Sequence, residues 1–212
     1  MMLRIKLNTL VWLAFFVGGT IGAQSVAPPI AEYRGAKADG MFTIENGADY
    51  PMAVVLETKS FSVDDHGQVQ YRKLDPGIEI KMGASSFVLG AHDSRMIFYK
   101  ATCPSAPASI SIVPTMTKAG AINGVRINFI LPHMIYLYQK EKLQQSDIKV
   151  QLADGVLRIQ NLSDKLGRVQ GVQASKQDLG GFPLFPGQTR QVPMTGERAR
   201  VTFEDGFKVD VP

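Results

Sequence analysis

The sequence predicts an all-β protein built from antiparallel β-sandwiches. Short segments rich in Val, Ile and Phe alternate with turn signals such as 64–67, Asn123-Gly124 and Asp154-Gly155. No stretch keeps the 3.6-residue apolar spacing of an amphipathic helix. The chain of 212 residues has 12 prolines, 20 glycines and 45% hydrophobic residues, which suits short strands joined by turns better than a helical bundle.

Residues 1–23 have the layout of a secretory signal peptide. A basic start with Arg4 and Lys6 precedes the apolar run 10–18, and a small residue, Ala23, marks the expected cleavage point. The apolar run is short for a membrane span of about 20 residues, so an uncleaved anchor is the less favoured interpretation. We expect an exported protein with no stable membrane anchor. Removing 1–23 lowers the net charge from +4 to +2, which does not predict nucleic-acid binding.

A polar stretch near residue 140 predicts a domain boundary. Residues 24–140 are long enough for a seven-stranded immunoglobulin-like domain, and 141–146 would be the linker. Residues 147–212 would form a small C-terminal β domain that relies on its neighbour for part of its burial. A single irregular domain is the alternative. Prolines at 104, 107 and 114 predict an edge or irregular strand in that region.

The sequence shows no pattern typical of catalysis, so we expect no enzyme activity, cofactor or metal. There is no nucleophile elbow, phosphate-binding loop or zinc-protease motif. The three histidines, His66, His92 and His133, lie too far apart in sequence for metal-ligand spacing. The one cysteine, Cys103, excludes a disulfide scaffold and is expected to be a small buried hydrophobe, with a reactive thiol as the alternative.

The segment 125–138 carries the strongest functional signal. Four apolar residues recur at period two and would share one face of an extended strand: Val125, Ile127, Phe129 and Leu131. A core-facing last strand of the first domain explains this pattern. A strand offered to another protein also explains it, since strand addition combines main-chain hydrogen bonds with alternating side-chain pockets.

Several segments together resemble the periplasmic pilus-assembly chaperones of the chaperone–usher pathway, as a divergent branch of the PapD-like superfamily. Each is similar to the family's strand followed by Asn, to its Pro-Gly-x-Ser/Thr segment with a following Arg, or to the last strand of its first domain. The matching segments cover nearly all of the mature chain: 41–46 with 51–54, 87–97, 130–135, 156–161 and 184–190.

The resemblance implies two immunoglobulin-like domains set at an angle, with a cleft between them. It implies that Val125, Ile127, Phe129 and Leu131 complete the sandwich of a pilin subunit in the periplasm. The chaperone would then deliver that subunit to an outer-membrane usher.

The resemblance also implies basic cleft residues that hold the subunit's C-terminal carboxylate. Arg34 is the best match in the first strand, with Lys37 second. The family's lysine in the last strand of the first domain is replaced by Pro132 here. The other candidates near that strand are Arg126, His133 and Lys140.

A different exported β-sandwich is the alternative: a fimbrial subunit, an adhesin or a cell-envelope scaffold. A fimbrial subunit would carry its donor segment at its own N-terminus, but residues 24–30 are short and interrupted by prolines. The strongest alternating strand instead precedes the predicted linker, which favours the chaperone.

Overall fold

The computed structural model describes residues 23–118, 127–174 and 177–212. The strands before the predicted linker are β1 (Ser25–Ala27), β2 (Ile30–Arg34), β3 (Lys37–Glu45), β4 (Met52–Val63), β5 (Val69–Arg72), β6 (Glu79–Met82), β7 (Ser86–Leu89), β8 (Ser94–Thr102), β9 (Ala108–Lys118), β10 (Asn128–Ile130) and β11 (His133–Tyr138). Those after it are β12 (Ile148–Ala153), β13 (Val156–Asn161), β14 (Gly167–Ala174), β15 (Gln177–Leu184), β16 (Thr189–Pro193), β17 (Ala199–Phe203) and β18 (Lys208–Val211). Within the described residues the one helical element is a 3₁₀ turn at Gln145–Asp147, so the predicted all-β class is confirmed.

Two sheets form the first sandwich. One has the order β1-β3-β8-β6, and the other has the order β2-β11-β9-β4-β5, with β7 also on β4 and β10 also on β9. Alternation along the strands builds the core between them, since Met52, Val54 and Leu56 of β4 are buried while the residues between them are exposed. The core also contains Phe42 and Ile135, each almost completely buried.

The strands β10 and β11 are two parts of one line of chain along β9. Ile130 lies opposite Thr115 and His133 opposite Ile112, which is the same antiparallel register. Between them Leu131 donates its N–H to the Pro114 carbonyl at 3.2 Å. Because Pro114, opposite Leu131, has no N–H to return this bond, one hydrogen bond of the ladder is missing at this point.

The prolines at 104, 107 and 114 predict an edge or irregular strand, and the structure agrees only in part. Pro104 and Pro107 lie in the loop between β8 and β9, which agrees with the prediction of an irregular region. However, β9 is a central strand, paired with β4 on one side and with β10 and β11 on the other. The prediction of an edge strand here was therefore wrong: Pro114 is tolerated at the gap between β10 and β11, where a ladder hydrogen bond is missing.

The second sandwich is smaller and has its own core. Its sheets have the orders β12-β13-β16 and β15-β14-β17-β18. Nine buried residues lie between them, among them Leu157, Ile159, Val201 and Phe203. The β12–β13 hairpin turns at Asp154-Gly155, where both residues have positive φ (53° and 70°), the geometry of a two-residue hairpin turn.

Both sandwiches contain the same asparagine clamp. Buried Asn46 follows β3 and donates from Nδ2 to the carbonyls of Tyr50 (2.8 Å) and Gly90 (2.7 Å). Buried Asn161 ends β13 and donates in the same way to Lys165 (2.6 Å) and Phe185 (3.0 Å). Each amide therefore joins a strand end to a distant turn, which explains why strand–Asn and Gly-containing turn segments occur together in the sequence.

The two sandwiches share an aromatic contact. Phe61, Tyr136 and Tyr138 on the outer face of the second sheet are buried together with Leu166, which follows β13. Phe61 and Phe185 meet edge to face, with ring centroids 6.1 Å apart.

The polar stretch near residue 140 contacts the same region. The Gln139 side chain exchanges two 3.0 Å hydrogen bonds with the Leu166 backbone. The polar stretch near residue 140 is therefore packed as well as solvated.

Candidate functional site

The most unusual feature of the first sandwich is the edge of β10. One edge of this strand pairs with β9, and no other strand of the described residues pairs with its second edge. Leu131 directs its N–H to β9, whereas Met134 directs its N–H away from β9, to the Pro29 carbonyl. Since N–H groups alternate along an antiparallel strand, the Ile130 N–H points to the open edge. This edge can accept the backbone of another strand.

The side chains of the open segment lie in two environments. Ile127 and Ile130 are 56% and 60% exposed. Phe129, opposite buried Met116, and Leu131 are partly buried against the first core. The structure therefore does not place Ile127, Phe129 and Leu131 on one exposed face. The predicted Val125, like Arg126, lies outside the described residues.

The neighbouring strand β11 differs because its second edge is covered. β2 runs parallel to it, from Ile30 opposite Met134 to Arg34 opposite Tyr138. Burial raises the pKa of Tyr136 to about 12. Burial, followed by the nearby Glu32 carboxylate, also raises the pKa of Tyr138. Both phenols are therefore neutral at the end of the strand that faces the second sandwich.

Paired charges lie where β2 meets the second sandwich. Arg34 forms an ion pair with Glu204 at 2.7 Å and donates to the Gln139 carbonyl at 3.3 Å. Arg168 pairs with Glu32, which also accepts a hydrogen bond from Tyr138. The side chain of Glu204 is only 13% exposed, so this acid is held in the junction.

Sequence reasoning identified Arg34 in this network and missed Glu32, Arg168 and Glu204. The partners are separated by 136 and 170 residues, so no local spacing signals the pairs. The other predicted anchors lie apart from the network. Lys37, at the start of β3, and Lys140, which follows β11, are exposed.

His133 lies in a different place from that expected of an anchor. Its side chain is completely buried in the first sandwich, and its ring stacks on Phe42 with centroids 4.5 Å apart. Nδ1 lies 2.7 Å from the Pro28 carbonyl and Nε2 lies 3.1 Å from the Tyr99 hydroxyl. Both nitrogens have partners, and burial lowers the pKa of the imidazole. His133 is therefore a neutral internal group, and we leave it out of the proposed carboxylate anchor.

A second contact joins the sandwiches on the other side. Gln188 donates from Nε2 to the carbonyls of Val63 (2.6 Å) and Asp64 (2.9 Å), in the turn after β4. Arg190 donates to the same Asp64 carbonyl at 3.2 Å and lies over Phe182. The predicted turn at 64–67 is therefore one that the second sandwich contacts.

The described residues contain no group of three or more His, Cys, Asp or Glu side chains placed to hold a metal ion. Cys103 is partly buried, and burial raises the pKa of its thiol. No helix in the described part of the chain is long and apolar enough to span a membrane.

The structure is similar to solved chaperones of pilus assembly. The E. coli chaperone DraB matches with a TM-score of 0.57 and 15% identity, over 90% of this chain and 97% of DraB. A chain of the Salmonella enterica complex of SafA pilin with the SafB chaperone matches with a TM-score of 0.59 and 12% identity, over 90% and 95%. The class 5 fimbriae chaperone CfaA matches with a TM-score of 0.57 and 12% identity, over 90% and 100%.

The fold is that of the pilus-assembly chaperones. The resemblance seen in the sequence is thus confirmed for the fold, at identities of 15% and below. No sequence-family model matches the chain, and no curated protein matches it by sequence.

Proposed function

We propose that this protein is a periplasmic chaperone that stabilises pilin or fimbrial subunits by donor-strand complementation and delivers them to an outer-membrane usher. The open edge of β10 carries the proposal, because it offers backbone hydrogen bonds beside apolar side chains. The fold supports it, since similar structures include chaperones in complex with a pilin or a tip adhesion subunit. The proposed role involves no catalytic step and no cofactor.

The proposed donor side chains are Val125, Ile127, Phe129 and Leu131. Burial of such a side chain in a partner contributes about 1.5–3 kcal/mol before the costs of association. Phe129 and Leu131 already contact the first core, so the partner would bury their remaining exposed surface and all of Ile127.

Arg34 is the proposed anchor for a subunit carboxylate, with Lys37, Lys140 and Arg126 as further basic candidates. Arg34 lies at the end of β2, and 38% of its side chain is exposed. A carboxylate arriving there would compete with Glu204 for the guanidinium. A charge-assisted hydrogen bond of this kind contributes about 1.5–3 kcal/mol and would fix the register of the added strand.

Two exposed isoleucines provide a matched test. Ile127→Asp places a carboxylate on the proposed donor face, whereas Ile130→Asp places one at a nearby position of similar exposure. Neither side chain is in the core, so both variants should remain folded. Tagged proteins would be recovered from the native periplasm and analysed by intact mass.

We expect the wild type and Ile130→Asp to retain a stoichiometric subunit, and Ile127→Asp to lose at least nine-tenths of it, on the order expected when a charge is forced into an apolar groove. Unchanged recovery with Ile127→Asp would contradict donation by this face. Loss with Ile130→Asp alone would show that the opposite face is donated.

A further inference from the structure

The N-terminal segment changes sheet beside the junction of β10 and β11. β2 starts at Ile30, opposite Met134, and the chain before it crosses at 28–29 to the other sheet, where Ser25–Ala27 pairs with β3. If the parallel register of β2 continued backwards, Ser25–Ala27 would lie opposite residues 129–131. The three residues of β1 are therefore the ones that would cover the open edge if the chain did not cross.

His133 holds this crossing point. Its Nδ1 contacts the Pro28 carbonyl at 2.7 Å, and the Met134 N–H donates to the Pro29 carbonyl at 2.8 Å. Because a carbonyl only accepts, Nδ1 carries the imidazole proton and Nε2 accepts from the Tyr99 hydroxyl. The Tyr33 hydroxyl of β2 lies 3.0 Å from the Tyr99 hydroxyl and donates to it.

The network joins four of the strands near the crossing. His133 begins β11, Tyr33 belongs to β2 and Tyr99 to β8, while Phe42 of β3 stacks on the imidazole. His133 has no exposed surface, so its two hydrogen bonds are not exchanged with water. Loss of either bond at this buried site would leave a polar atom unpaired, at a cost in free energy. This cost favours the observed position of the Pro28 carbonyl.

We infer that His133 is a positioning residue that keeps the N-terminal segment on the opposite sheet and so keeps the β10 edge open for a partner strand. The inference rests on the proposed function for the use of that edge. The position of the segment can nevertheless be measured in the free protein, without any subunit.

Two amide substitutions separate the two hydrogen bonds of the ring. His133→Asn places an N–H donor near the position of Nδ1, so it retains the bond to the Pro28 carbonyl. His133→Gln places its amide near the position of Nε2, so it retains the contact with Tyr99 and loses that with Pro28. A role limited to general stability would affect the two variants in the same way.

Hydrogen exchange of the Ile130 amide reports on the edge. In the wild type and in His133→Asn this amide should exchange rapidly, because no strand of the described residues pairs with that edge. In His133→Gln we expect exchange to slow at least tenfold, and deletion of residues 24–27 in that background should restore rapid exchange. Equal Ile130 exchange in the wild type and His133→Gln, or equal slowing in both variants, would overturn the inference.

A variant that does not fold is recognised by loss of slow amides throughout the first sandwich. In that case His133→Leu, which also lacks the bond to Pro28, replaces His133→Gln with the same expected results. If the Ile130 exchange rates change as expected while the protein captures no subunit, that result would support this inference and contradict only the proposed function.

Discussion

The strands β10 and β11 follow one register along β9, yet their outer edges differ. β11 is paired with β2 from Met134 to Tyr138, and five of its six residues are fully or almost fully buried. β10 has its second edge open among the described strands, and Ile130 is 60% exposed. One largely apolar sequence run thus contains a half that is covered on both edges and a half with one open edge among the described strands.

The difference between the two edges arises from the chain that lies beside the strand, since the N-terminal segment pairs with β11 and leaves it at Pro29. The burial of Ile130 and Ile135 also depends on the face, because residues five positions apart point to opposite faces of a strand. Only Ile135 points into the core and has strands on both sides. Substitutions in the two halves should therefore have different effects, which the following predictions test.

The largest expected effect is on stability. Ile135→Ala removes a completely buried side chain and should lower the free energy of unfolding by about 2–5 kcal/mol. Ile130→Ala removes an exposed side chain and should change it by less than about 0.5 kcal/mol. Urea unfolding of both variants measures the contrast, and similar losses would show that β10 is as deeply packed as β11.

A smaller effect concerns pH at the boundary between the halves. Burial lowers the pKa of His133 below its unfolded value, so the folded state favours the neutral ring. The stabilisation is complete above about pH 6.5 and is lost as the pH falls towards the folded-state pKa, by at most about 1.4 kcal/mol per pH unit. The groups facing the ring are Tyr99, the Pro28 carbonyl and Phe42, and none is an acid that would offset the change.

His133→Asn provides the control for this pH dependence, since an amide does not titrate. Unfolding free energies of both proteins between pH 7.5 and 5 would be compared on the basis of this proton linkage. As the pH falls, the wild type should lose more unfolding free energy than His133→Asn does. A constant difference would mean that His133 has the same pKa in the folded and unfolded states.

The smallest effect is expected where the covered half reaches the second sandwich. Arg34→Ala removes the ion pair with Glu204 and should cost about 0.2–1 kcal/mol in unfolding free energy, since 38% of the arginine side chain is exposed. The cost should shrink at high salt. Lys37→Ala, at an exposed position, is the matched control. A loss well above this range would show that Arg34 is chiefly a structural residue.

Much of the fold could be predicted from local sequence. Alternating residues and turn signals gave the all-β class, and the positive-φ Asp154-Gly155 turn follows directly from its residue types. The segments containing Asn46 and Asn161 were recognised as related patterns, and both asparagines form the same buried clamp.

The site was less predictable because it depends on long-range placement. The period-two pattern of 127–131 could not show whether Phe129 and Leu131 contact the first core, since a core-facing strand and a donated strand have the same pattern. His133 was expected near a carboxylate anchor because it follows the candidate strand. Its burial is decided by Phe42, Tyr99 and Pro28, which are distant in sequence. The ion pairs of Arg34 and Arg168 likewise form only once the second sandwich is in place.

The most direct test of the account compares the amides of Ile130 and Met134 by hydrogen exchange, in the free protein and in the complex recovered from the periplasm. Met134 donates to Pro29 and should be protected in both states. Ile130 should exchange rapidly in the free protein and become at least about tenfold slower when a partner strand pairs with the β10 edge. An Ile130 amide that exchanges as rapidly in the complex as in the free protein would contradict strand donation by β10.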